Sequence, residues 1–448
     1  MKKIIVTLSL LLGFGAFAQD HFSGISTSNR VGILNGVLNP AEFSSLSKRF
    51  EINVYGVSFD VANNKIGFKD LTSNTNLEDL IFKGTEPVNM RFDGTILGPS
   101  VAMKWMKWGF GLTTKANVKF DIVDVDPTIG NAIKNNNLIL NTTLLNHPEN
   151  QRLSGTSYGV VGLSAARTLI ENDKYKFSAG ITLNILFPGS YSNFGLSGLS
   201  GTITQNATGS YLTTNQTANL NIAYSGNLGD NFTKFNDYSK SIFGKLNGLA
   251  SDVGVNFEWK DGATKYKIKG GVAIKNMGSM IFKDSNNHST DYTLNIQPNA
   301  QNPQGLDLSS FNNVSNLSDV ETILTNKGYL TTTPNKTDFK VSLPTLFVMY
   351  GDFKIVPKIY VTGYLQQRVN KDGDNQQITA KNIFSVTPRV NLGFFEAYLP
   401  VSHDDISGTN VGLGFRLAGF YLGSSSIISS LADGKSANIY TGYRYAFL

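Results

Sequence analysis

From Lys107 to Ile122 the chain alternates without a break. Trp108, Phe110, Leu112, Thr114, Ala116, Val118, Phe120 and Ile122 take every second position, with Lys107, Gly109, Gly111, Thr113, Lys115, Asn117, Lys119 and Asp121 between them. A period of two held this long is a β-strand with one apolar and one polar face. Strands of globular proteins usually run about 5–6 residues. A much longer strand, aromatic at both ends of its apolar face, suits a wall with lipid on one side and a polar lumen on the other.

Both chain ends agree. Lys2 and Lys3, the apolar run Ile4 to Phe17 and the small-x-small pattern Ala16-Phe17-Ala18 read as a cleaved signal peptide over residues 1–18. No later run is long and apolar enough for a spanning helix. In lipid the remaining solution is a closed barrel, where every backbone polar group is paired. At the other end Ile439, Thr441, Tyr443, Tyr445 and Phe447 share one face. This resembles the aromatic-rich last strand of bacterial outer-membrane barrels, with Leu448 as one extra residue after the aromatic.

Charged residues make up only 16% of the chain and there is no Cys. The composition is too weakly charged for a disordered chain. A barrel closed by its own hydrogen bonds needs no disulfides. A net charge of +6, spread along the chain, does not point to nucleic acid.

About fifteen candidate strands can be marked between Arg49 and Phe447, among them 216–226, 251–260, 339–350, 354–368 and 378–392. Asp352 and Gly393 mark tight turns. Single-chain bacterial barrels have even strand numbers, which favours 14. Residues 279–338 form the longest irregular region, with a helix expected over Leu317 to Asn326. Residues 124–156 break the strand rhythm as a short helix or a lumenal loop, and 188–214 read as a long loop. Before the first strand, Asn39-Pro40-Ala41-Glu42 has the order of a capped helix start: an Asn cap, Pro at the first position and Glu at the third. The expected fold is an all-β, antiparallel transmembrane barrel of about 14 strands. Its divisions are a signal peptide at 1–18, a pre-barrel segment at 19–47 and the barrel at 48–448.

This layout, with Leu38-Asn39-Pro40-Ala41 ahead of the wall, resembles the FadL-like outer-membrane barrels. Their relatives include the PorV-type barrels of type IX secretion and an uncharacterised family common in Bacteroidota. The tail Gly419 to Ser424 followed by Ser436 to Tyr440 looks most like that last family. The resemblance implies that residues 19–47, with Asn39, Pro40, Ala41 and Glu42, fold into the lumen as a hatch. It also implies binding or passage of small hydrophobic or amphipathic molecules across the bacterial outer membrane. The alternative is a non-transporting barrel that serves as a structural or secretion-system partner. Expected neighbours are outer-membrane lipid and lipopolysaccharide, a small hydrophobic ligand or secretion proteins, and no nucleic acid.

No catalytic constellation stands out, and no cofactor or metal is expected. His21, His147, His288 and His403 are far apart, and His403-Asp404-Asp405 reads as a polar turn. One stripe is notable. Lys265, Lys267, Lys269 and Lys275 take the polar positions of the strand over 264–276, and Lys115 and Lys119 those of 107–122. Facing the lumen, such lysines would favour anions.

Overall fold

The computed structural model describes residues 21–73, 76–134, 141–230, 243–261, 266–312, 314, 316–332 and 338–447. The expected signal peptide, Lys265 and most of a helix expected within 228–249 lie outside them.

Antiparallel strands, 14 in all, close into one barrel. In chain order they are β1 (Phe50–Asn63), β2 (Val88–Leu97 with Ser100–Trp105), β3 (Trp108–Val125), β4 (Gln151–Glu171) and β5 (Tyr175–Ser197). β6 joins Ala218–Ser225 to Gly248–Lys260, β7 joins Tyr266–Phe282 to His288–Leu294, and β8 joins Phe339–Ser342 to Leu346–Val356. The rest are β9 (Ile359–Arg368), β10 (Ile383–Asn391), β11 (Phe395–Tyr398 with Val401–Asp404), β12 (Gly408–Val411 with Leu413–Leu417), β13 (Phe420–Ser424) and β14 (Ser436–Phe447). β14 closes the ring on β1, with Phe447 opposite Phe50 and Ser436 opposite Ala62.

The candidate strands over 216–226 and 251–260 are two pieces of one wall strand. Both pair antiparallel with β5, the first at Tyr191–Ser197 and the second at Tyr175–Ile185. An insertion between the pieces hides their continuity in the sequence, and about fifteen segments become 14 strands. Asp352 is not in a turn. It sits inside β8, buried, and its carboxylate accepts from Arg389 at 2.7 Å. The turn falls at Pro357-Lys358, where Lys358 has φ 73°. Gly393 does turn, at φ 91°.

The alternation seen over 107–122 is the in–out alternation of the wall. Trp108, Phe110 and Leu112 are exposed outward, whereas Gly109, Gly111 and Thr113 are buried inward. Trp105, Phe394 and Tyr445 stand exposed at the short-turn end. There Arg167 lies over the Trp108 ring at 5.1 Å. An outward apolar band edged with aromatics suits lipid. Among the described residues no helix is long and apolar enough to cross a membrane, so any crossing is made by strands.

Two strands far exceed what a membrane needs. β4 has 21 residues and β5 has 23, against about 9–11 for a tilted spanning strand. Their far halves therefore project beyond the band, and at their ends the outer face carries an apolar cluster: Leu153, Phe194, Leu196, Leu220 and Leu294. A cap covers it. The cap contains a four-stranded sheet of Asn141–His147, Leu199–Asn206, Gly209–Thr214 and Leu306–Asp307. Helices Pro127–Lys134 and Leu317–Asn326 complete it. The helix expected over Leu317 to Asn326 is present. The strands within 188–214 replace the loop expected there. The helix and strand of 124–156 sit in the cap, not in the lumen.

The N-terminal segment fills the short-turn half of the lumen. It carries α1 (Ile33–Leu38) and a 3-10 turn, Pro40–Ser45. Asn39 caps the turn, its side-chain oxygen accepting from Ala41 N at 3.0 Å. Wall glycines make room for it. A Cβ at Gly180 would lie 2.5 Å from the Pro40 carbonyl carbon, and one at Gly109 would collide with the Phe43 carbonyl.

Candidate functional site

A buried ion pair and hydrogen bonds to wall carboxylates fix the hatch to the wall. Glu42 does not close its own helix cap. It pairs with Lys269 of β7 at 2.7 Å and accepts from the Tyr350 hydroxyl of β8, all buried. The Asn39 amide donates to Val255 O at 2.9 Å and to Tyr350 at 3.3 Å. Ala41 is fully buried, and Pro40 abuts Gly180. Ile33 N donates to Glu51 at 2.8 Å, and Glu51 also receives Arg444 at 3.3 Å. Ser28 donates to Glu396, which Arg389 and Arg416 flank at 3.4 and 3.1 Å. Ions buried this deeply are tolerable only when paired and hydrogen-bonded.

A second obstruction closes the long-loop end. The connection from β9 to β10, residues 369–382, crosses the mouth as a strap. Arg152 of β4, fully buried, donates to the strap carbonyls of Asp372, Asp374 and Gln377 at 2.8, 2.7 and 2.6 Å. Asp372 pairs with Arg91 of β2, and Thr379 donates to Asp121 of β3 at 3.1 Å. Lys381 pairs with Asp60 of β1, and Gln376 donates to Ser289 of β7 at 2.7 Å. Strap and hatch thus block the lumen from opposite ends.

Between them lies a lumenal cavity of about 150 Å³, where Lys115, Lys275, His21 and Asn117 face Phe22, Leu38 and Tyr364. Lys119 beside it pairs with Asp93, which His21 also approaches at 3.1 Å. Lys267 is not on the face of Lys269. A register shift between Trp259 and Lys260 inserts an extra residue opposite them, and Lys267 turns outward over the Trp259 ring at 5.4 Å. The expected row of free lumenal lysines is therefore broken, with Lys119 and Lys269 each held by a carboxylate. His403-Asp404-Asp405 forms a polar turn, with Asp404 accepting from Ser407 N at 2.7 Å and His403 beside Thr409 at 3.0 Å.

A second cavity is elsewhere. About 450 Å³ lie under the cap. Its wall side is formed by Ile122, Leu153, Phe194 and Leu220, and its cap side by Leu212, Leu308 and Leu324. The register places it on the face opposite the lumen. Ile122, Leu153, Phe194 and Ile222 run cross-strand on one face, whereas Asp121, Ser154 and Asn193 run on the other, with the strap. Among its described lining residues none is charged, and Gln151 alone carries a polar side chain. Sequence reading missed both this cavity and the strap. A trace of the cavity was present: beyond the length that spans a membrane, Leu153 of β4 and Phe194 and Leu196 of β5 return apolar side chains to the outward face.

Comparison with known proteins adds a family. Among curated proteins no sequence relative is found. Solved barrels of similar shape include the toluene transporter TodX of P. putida, at 9% identity over 97% of this chain and 99% of that one, with a TM-score of 0.44. The toluene transporter TbuX of Ralstonia pickettii matches at 10% identity over 97% and 96%, with a TM-score of 0.41. A FadL homologue of Pseudomonas aeruginosa matches at 10% over 96% and 98%, also with a TM-score of 0.41. The profile of a family of unknown function, DUF5723, matches residues 40–425, from the hatch turn to the end of β13, and the chain belongs to that family.

Proposed function

We propose that this chain is an outer-membrane barrel that binds small hydrophobic molecules, and that it holds them under the cap. One observation carries the reading: a cavity of about 450 Å³ with an almost wholly apolar lining. Cavities lined this way take apolar guests. The site communicates with the cap side and is separated from the lumen by the wall. A ligand bound there has not entered the barrel.

The lumen supports a second reading beside the first. Hatch and strap are both fastened by buried ion pairs, as expected for a barrel that does not conduct in its resting state. A structural or secretion-system partner role fits this closed interior. The two readings are compatible if the capped cavity senses or stores a ligand.

The test is fluorescence titration of the purified protein with N-phenyl-1-naphthylamine. The unmodified protein is expected to bind the probe saturably. Leu220→Trp, which fills the cavity from the wall side, weakens binding by at least about tenfold, the loss of roughly 1.4 kcal/mol of contact. Equal binding by both would remove the cavity from consideration as the site.

A further inference from the structure

Gln151 is the first residue of β4 and stands opposite Leu196, which also lines the capped cavity. The residue is 4% exposed. The backbone N–H of Asp126 donates to its Oε1 at 2.8 Å. Since an N–H must meet an acceptor, this contact decides which end of the amide is oxygen. The Nε2 group, with two hydrogens, is left with no acceptor among the described residues. A buried donor without a partner is costly, and such groups in native proteins are usually satisfied. Nothing else in the described lining competes for the role, because the remaining side chains are aliphatic or aromatic.

We infer that the ligand itself supplies the missing acceptor. The class it implies is an uncharged, largely apolar molecule bearing one acceptor oxygen, such as a ketone, an ester or an ether. A pure hydrocarbon fills the space but leaves Nε2 unpaired. A carboxylate satisfies Nε2 but brings a charge into a lining with no cation, at a high desolvation cost. Arg152, the next residue, gives no help, because its guanidinium is on the lumenal side and donates to the strap carbonyls. The inference rests on the capped cavity being the binding site.

Three competitors of one shape test it on the purified full chain, with N-phenyl-1-naphthylamine as reporter: 2-ethylnaphthalene, 2-acetylnaphthalene and 2-naphthoate. The ketone is expected to displace the reporter at a concentration about two- to tenfold lower than the hydrocarbon, the span of one net hydrogen bond. The naphthoate is expected to displace it least. Gln151→Leu should abolish the ketone's advantage over the hydrocarbon. Equal displacement by ketone and hydrocarbon, or preference for the naphthoate, in the unmodified protein would overturn the inference, so the result does not depend on the variant folding. Reporter binding that survives Leu220→Trp undiminished would instead defeat the proposed site, a failure distinct from that of Gln151.

Discussion

At the scale of single residues, chemistry decided the role of the pre-barrel segment. Asn39 and Pro40 announced a helical turn in the sequence, and Asn39 does cap it. The spacing places Glu42 in the same cap, yet it reaches across the lumen to Lys269 and Tyr350. Local spacing cannot show this, because Glu42 and Lys269 are brought together only by barrel closure. The misplacement of Lys267 has a similar origin: one register shift reverses the faces of the residues around it. Removing one partner of a buried ion pair leaves the other charge uncompensated, at a cost of about 3–5 kcal/mol. Glu42→Gln should therefore lower the temperature at which the folded band is lost in SDS, and Glu42→Gln with Lys269→Met should recover most of that loss. An unchanged transition in the single variant would mean that the hatch does not depend on this pair.

At the scale of elements, strands with local partners were legible and those with distant partners were not. Hairpins declare themselves through alternation and turn residues. The two halves of β6 do not, since what unites them is a shared partner, β5. The strap was likewise folded into an expected strand over 378–392, because Ile378 and Ala380 continue the alternation of β10. Its identity lies in Arg152, an arginine on a distant strand that donates to three of its carbonyls. Arg152→Ala leaves those carbonyls without their donor and should free the strap. Added protease is expected to leave the strap of the folded unmodified protein uncut and to cut that of the variant. Equal protection in both would mean that Arg152 does not hold the strap.

At the scale of the whole molecule, two interiors coexist. The lumen is polar, charged and blocked at both ends. The apolar interior lies outside the wall, where β4 and β5 outgrow the membrane band and the cap shields their outer face. The barrel itself was readable from alternation, because lipid and lumen impose opposite demands on neighbouring residues. The second interior was not, because an outward apolar face reads the same whether lipid or a cap covers it. The decisive measurement is a crystal structure with 2-acetyl-6-bromonaphthalene, locating bromine by its anomalous scattering. A peak between Phe194 and Leu220 of the wall and Leu308 of the cap is the expected result. A peak inside the barrel, beside Lys115 and Lys275, would place the ligand in the lumen and contradict a capped site outside the wall.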